Sequence, residues 1–108
     1  MPEGHVYILG SETGTLYTGV TSNFDRRLFE HRHGIKSTFA SRYRCHRLLF
    51  LESFTNIRSA ISREKEIKGW TRAKKLAIIT QSNPQCKDLA AHHGWTMLHP
   101  QSRIDEQH

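Results

Sequence analysis

The chain has 108 residues, 36% of them hydrophobic, which is one modest domain's worth of core. Sixteen Lys and Arg against ten Asp and Glu leave a formal charge of +6, which points to an anionic partner, nucleic acid above all. No apolar run approaches the ~20 residues of a membrane helix, so no membrane partner is expected. The opening MPEGHVYIL has neither a basic leader nor a long apolar run, so a cytoplasmic protein is expected. Cys45 and Cys86 form no C-x-x-C pair and read as free thiols.

HVYIL predicts a first strand, with Val6 and Ile8 alternating against Tyr7 and Leu9. Gly10 to Gly14 supplies turn residues, and TLYTG predicts a second strand paired with the first through a five- or six-residue loop. Ser22 or Asn23 can cap a helix that opens at Phe24 and closes at Gly34. Ile35 to Arg44 reads as a basic loop. His46 to Phe54 then predicts a third strand whose continuous apolar centre expects cover on both faces.

Thr55 or Asn56 can cap a second helix ending near Lys68, and Thr71 a third, RAKKLAIIT, which Asn83-Pro84 breaks. Asp88 to Ala91 fits one further turn. The expected fold is α/β in the order β-β-α-β-α-α, a small, mainly antiparallel three-stranded sheet flanked by helices. Residues 1–90 are expected to form the domain and 91–108 a polar tail.

Three features stand out. Ile57, Ala60, Ile61 and Ile67 make the apolar stripe of the second helix, and Glu64 falls inside it. A carboxylate aimed inward needs a cation, a metal or a donor, so it is either half of a structural ion pair or a ligand for a hard divalent cation. On the first helix Arg27 and His31 lie four apart beside the Phe24–Leu28 stripe, as a solvated pair or as a phosphate fork with a proton carrier. Tyr7 and Tyr17 can share a sheet face, as core rings or as part of a site.

The ordered set VYIL, Tyr17-Thr18-Gly19, N-F-x-R-R-L-x-x-H (Asn23 to His31), A-I-x-R-E-x-x-I-K (Ala60 to Lys68) and Asn83-Pro84 resembles the GIY-YIG nuclease domain, in particular its small stand-alone bacterial members. The resemblance runs from Val6 to about Leu89. It implies a metal-dependent endonuclease acting on DNA, with RNA left open, structure-selective or weakly specific, directed by a protein partner or working in DNA repair or recombination. Tyr7 and Tyr17 match the two motif tyrosines and Gly19 the motif glycine. Arg27 matches the arginine at the scissile phosphate, His31 a position beside the attacking water, and Glu64 the single ligand for Mg²⁺ or Mn²⁺. Asn83 matches a site-supporting asparagine. The departures are His5 and Thr18, which stand where the motif names Gly and Ile, and Val20, where the excision nuclease has a lysine.

The mechanism so implied needs a cation near Tyr7 to favour its phenolate over an ordinary pKa near ~10, and Arg27 is the candidate. Arg26, Arg32, Lys36, Arg42, Arg44 and Arg47 on one side, and Lys65, Lys68, Arg72, Lys74 and Lys75 on the other, are expected to follow the phosphate backbone. Three rivals remain: a non-catalytic nucleic-acid-binding module on the same fold, an E-x-K nuclease site at Glu66-Ile67-Lys68, and a zinc site among the histidines.

Overall fold

The computed structural model describes residues 2–27, 44–45 and 47–92, with the side chains of 91 and 92 excepted. Strands β1 (Gly4–Gly10), β2 (Leu16–Thr21) and β3 (Arg47–Phe54) form one antiparallel sheet in the order β2-β1-β3. A helical turn, α1, covers residues 24–27. Helices α2 (Ile57–Lys68), α3 (Arg72–Ser82) and α4 (Leu89–His92) follow. This is the α/β architecture expected from the sequence. Residues 28–43, where the remainder of the predicted first helix and the predicted basic loop through Tyr43 fall, and residues 93–108 lie outside the described residues.

Each helix begins where a polar side chain can satisfy an otherwise orphaned N–H group, a contribution of ~1 kcal/mol apiece. Asn23 Oδ1 accepts from Arg26 N at 3.2 Å, Asn56 Oδ1 from Ser59 N at 2.9 Å, and Thr71 Oγ1 from Lys74 N at 3.2 Å. The two either-or readings thus resolve to Asn23 and Asn56. Thr21 Oγ1 also accepts from Asn23 N and donates to Asn23 O, which fixes the corner between β2 and α1.

The central strand β1 divides the core by its period of two. Val6 and Ile8 face α2 and α3, packing with Leu49, Phe50, Ala60, Ile67 and Ile79. Tyr7 and Leu9 face the other way, with Phe24, Cys45, Leu48 and Ala90. Both faces of β3 are therefore covered, as its apolar centre requires. Between Ile8 and Leu9 the register with β3 shifts, so that Ile8 pairs with Phe50 and Leu9 with Leu48. The extra residue, Leu49, bulges and joins Phe50 on the helix side. No alternation in RLLFLESF signals this. Helix α2 comes so close to β1 that a Cβ on Gly4 would lie 2.5 Å from the Ala60 Cβ.

Two buried side-chain atoms, Arg47 Nε and Thr18 Oγ1, find no hydrogen-bond partner among the described residues. Thr18 pairs with Ile8, hence faces α2, and is 4% exposed. An orphaned buried hydroxyl costs stability, so Thr18→Val is expected to raise it by ~1 kcal/mol, read as a higher urea midpoint at unchanged slope.

Candidate active site

Pairing places Tyr17 opposite Leu9 and Gly19 opposite Tyr7, so both tyrosines stand on the face away from α2. Their ring centroids are 6.3 Å apart at 43°, and Phe24 meets Tyr7 edge-on at 5.6 Å. Tyr7 is 1% exposed and Tyr17 half-buried. The Tyr7 ring lies across Gly19: a Cβ there would stand 2.5 Å from both Cζ and Oη of Tyr7. Glycine at this position is a space requirement, because any side chain would occupy the place of the hydroxyl.

The capped corner at Asn23 delivers Arg27 to that hydroxyl, with which its guanidinium hydrogen-bonds. Glu64 arrives from the opposite layer on α2, which packs against β1 and β2, and is 7% exposed. Its charge reaches the Tyr7 phenol. Tyr7, Tyr17, Arg27 and Glu64 thus converge although they come from four different elements. His31 lies outside the described residues.

The Tyr7 phenol is pushed far above its ordinary value of 10.0 by burial first and by Tyr17 next; Arg27 pulls it down and Glu64 pushes it further up. Arg27 acts in the direction expected of it, but burial outweighs it. In the chain alone, Tyr7 is therefore held as a neutral phenol. The linkage sign follows. Unfolded Tyr7 releases its proton from about pH 10 while folded Tyr7 keeps it, so this stability is present below pH ~10 and lost as pH rises beyond it. Between about pH 9 and about pH 11 the urea midpoint is expected to fall less steeply in Tyr7→Phe than in the parent chain.

As for metal, no group of three or more His, Cys, Asp or Glu exists among the described residues that would form an all-protein cage. A single, largely buried carboxylate suits magnesium or manganese instead, which keep several waters and share substrate phosphates. Glu64 fits that description on its donor chemistry. Its partner in the chain is Lys68, whose Nζ stands 2.5 Å from Oε2 one turn along α2.

The remaining basic residues divide. Arg26 and Arg44 are exposed, the latter at φ 56°. Arg32, Lys36 and Arg42 lie outside the described residues. Arg47 is half-buried and donates through Nη2 to Ser11 O at 3.2 Å, bracing the β1–β2 loop. Arg72 stands beside Gly14 of the same loop, Lys74 Nζ lies 4.5 Å from the Trp70 ring centroid, and Lys75 is half-buried. Lys65 is exposed. Asn83 is 5% exposed and works as a brace: its Nδ2 donates to Leu49 O and Lys87 O, and its Oδ1 accepts from Lys87 N.

The E-x-K alternative loses its basis. Glu66 sits on helix α2, exposed, and is held by Arg63 Nη1 at 2.6 Å. Cys45 and Cys86 are free thiols. A feature that the sequence did not announce is a cleft of about 410 Å³ lined by His5, Ser22, Asn23, Phe24, Asp25, Leu51 and Ser53. It lies on the Tyr7 face, one register step along β1, and His5 Nδ1 pairs there with Ser53 Oγ at 2.9 Å. The polar run Ser22-Asn23 beside a strand-end histidine was its only signal.

The family model of the GIY-YIG catalytic domain matches residues 3–77. The chain belongs to the GIY-YIG family. That match spans β1 through most of α3 and takes in all four converging residues. Similar proteins include a UPF0213 protein of Syntrophus aciditrophicus, 38% identical over 86 residues, or 79% of this chain and 98% of that one. A UPF0213 protein of Staphylococcus saprophyticus is 32% identical over 81 residues, 75% of this chain and 99% of that one. The solution NMR structure of a UPF0213 protein from Bacillus halodurans superposes with a TM-score of 0.54 at 28% identity, covering 81% of this chain and 93% of that one. This is therefore a small GIY-YIG chain of nuclease-like fold, similar over most of its length to proteins of comparable size.

Proposed function

We propose that this chain is a metal-dependent endonuclease that hydrolyses phosphodiester bonds in DNA with structural or weak sequence preference. The observation that carries the reading is the convergence of Arg27, Tyr7 and Glu64 from separate elements, with Gly19 clearing room for the Tyr7 hydroxyl. A structural ion pair does not require a tyrosine pressed onto a glycine beside it.

Arg27 holds the scissile phosphate, since a planar guanidinium can bind two of its oxygens and offset charge as it develops. Tyr7, neutral in the chain alone, orients the attacking water through its hydroxyl, and Tyr17 keeps the ring in place. His31, four residues after Arg27, is the candidate for taking the proton, since a neutral phenol at Tyr7 cannot accept one. Glu64 would hold magnesium or manganese, which supplies Lewis-acid charge to a non-bridging oxygen and to the leaving 3′-oxygen when bound. Exposed Arg26, Arg44 and Lys65 give affinity for the backbone without sequence information. Selection then falls to substrate shape or to a targeting partner.

The test is a panel of end-labelled flapped, branched, nicked, single- and double-stranded DNAs with one RNA, incubated with Mg²⁺, Mn²⁺ or EDTA. Metal-dependent products from some members are expected. Tight, salt-sensitive binding to the panel without any product would favour the non-catalytic binding module.

A further inference from the structure

Glu64 and Lys68 form a pair whose two halves live in different surroundings. The Glu64 side chain is 9% exposed, inside the stripe that packs α2 on the sheet, whereas that of Lys68 is 55% exposed. A carboxylate so placed needs a positive partner at all times, because an uncompensated buried charge is strongly destabilising. The ammonium has no such constraint. Its four-carbon stem lets it leave for water by rotation alone. The spacing, Glu four residues before Lys on one helix, is the favourable order for such a pair.

Among the described residues, two other cations, Arg63 on α2 and Lys74 on α3, are engaged elsewhere. Arg63 donates through Nε to Glu52 of β3 at 2.9 Å and through Nη1 to Glu66. Its guanidinium also lies 5.2 Å from the Trp70 ring centroid. Lys74 sits over the same ring. Lys68 is thus the cation paired with Glu64 among the described residues, although the basic end of α2 predicts a phosphate contact for it.

We propose that Lys68 is a resident exchange cation: it compensates Glu64 and holds its carboxylate in place until a divalent cation displaces it, so that the affinity of the site for metal is set by how firmly Lys68 holds on. This rests on the reading of Glu64 as the metal ligand. Metal entry then exchanges one cation for another at a preformed carboxylate, and the freed ammonium adds charge to the surface that faces the substrate. A lysine suits this and an arginine does not, because a guanidinium fork grips both carboxylate oxygens and releases them reluctantly.

The experiment is Mn²⁺ binding to the full chain without DNA, followed by the loss of the free-ion signal in electron paramagnetic resonance. Parent, Lys68→Met, Lys68→Arg and Glu64→Gln chains are compared, with thermal denaturation of each with and without Mn²⁺. Removing the competitor is expected to tighten binding about tenfold in Lys68→Met, the lower end of what partners of a metal ligand are worth. Lys68→Arg is expected to bind more weakly than the parent, and Glu64→Gln not at all. Lys68→Met is also expected to melt lower than the parent without Mn²⁺ and to gain more from adding it. Should the methionine chain fail to fold, the arginine chain, which keeps the charge, decides the matter through its weakened affinity. Equal affinity in all three chains that keep Glu64 would overturn the exchange while leaving the metal reading intact. Binding that persists in Glu64→Gln would remove the metal reading and this inference with it.

Discussion

In a Gly19→Ala chain, cleavage is expected to fall about a hundredfold while stability drops by ~2 kcal/mol. The added methyl would lie 2.5 Å from Tyr7 Cζ and Oη and 2.9 Å from Cε2, far inside van der Waals contact. Tyr7 has little room to yield. It is 1% exposed, with Phe24 against its edge and Tyr17 beside it. The ring must tilt, β2 must move outward, or both, and each strains a closely packed interior. The consequence for chemistry exceeds that for folding, because the displaced atom is the hydroxyl to which Arg27 is bonded. An error of about 1 Å at a reacting group is worth two orders of magnitude in rate. Single-turnover cleavage, corrected for the folded fraction from a urea titration, separates the two effects. Parent-like turnover in a folded Gly19→Ala chain would mean that the Tyr7 hydroxyl takes no part.

Asn83→Ala is expected to cost ~3 kcal/mol, with turnover per folded molecule unchanged. The resemblance assigns this residue a supporting place, and the structure shows the bracing contacts it makes. Asn83 ends α3, and its side chain ties that end to β3 through Leu49 O at 3.1 Å. It ties the following turn through Lys87 O at 2.8 Å and Lys87 N at 3.0 Å. Alanine forfeits three hydrogen bonds of ~1 kcal/mol each and leaves polar backbone atoms unpaired. Asn83→Asp is the more telling variant. It keeps the acceptor for Lys87 N but sets a second oxygen against two carbonyls, so it is expected to be at least as destabilising as alanine despite its matching shape. The Asn83 contacts lie on the α3 side of β3, with Leu49, while Tyr7 faces the other layer. A selective loss of turnover at full stability would instead give Asn83 a direct role at the site.

Much of the fold was legible because local signals agreed. Polar caps before apolar periodic runs marked each helix start, and alternation in HVYIL placed Tyr7 and Leu9 together. A lone carboxylate in the α2 stripe marked Glu64. Pairings between distant elements were not legible, since periodicity says which way a side chain points and not what it meets. Arg63 reaches Glu52 across to β3, Asn83 reaches Leu49, and Arg47 braces Ser11. Each reads in sequence as an ordinary surface or cap residue. The Leu49 bulge was hidden for a related reason: four consecutive apolar residues, Leu48 to Leu51, satisfy either register. The protonation of Tyr7 depends on how completely Phe24, Cys45, Leu48 and Ala90 seal it, a property of the assembled core rather than of any motif.

Metal-dependent cleavage by this chain rests above all on Glu64. The most direct measurement is product formation on the best DNA substrate under single-turnover conditions, with Mg²⁺ or EDTA, for parent, Glu64→Gln and Arg27→Ala chains, beside filter binding of the same DNA. The prediction is metal-dependent cleavage in the parent, a loss of at least about a thousandfold in both variants, and DNA binding retained in Glu64→Gln. Cleavage that continues in Glu64→Gln, or that proceeds unchanged in EDTA, would contradict it.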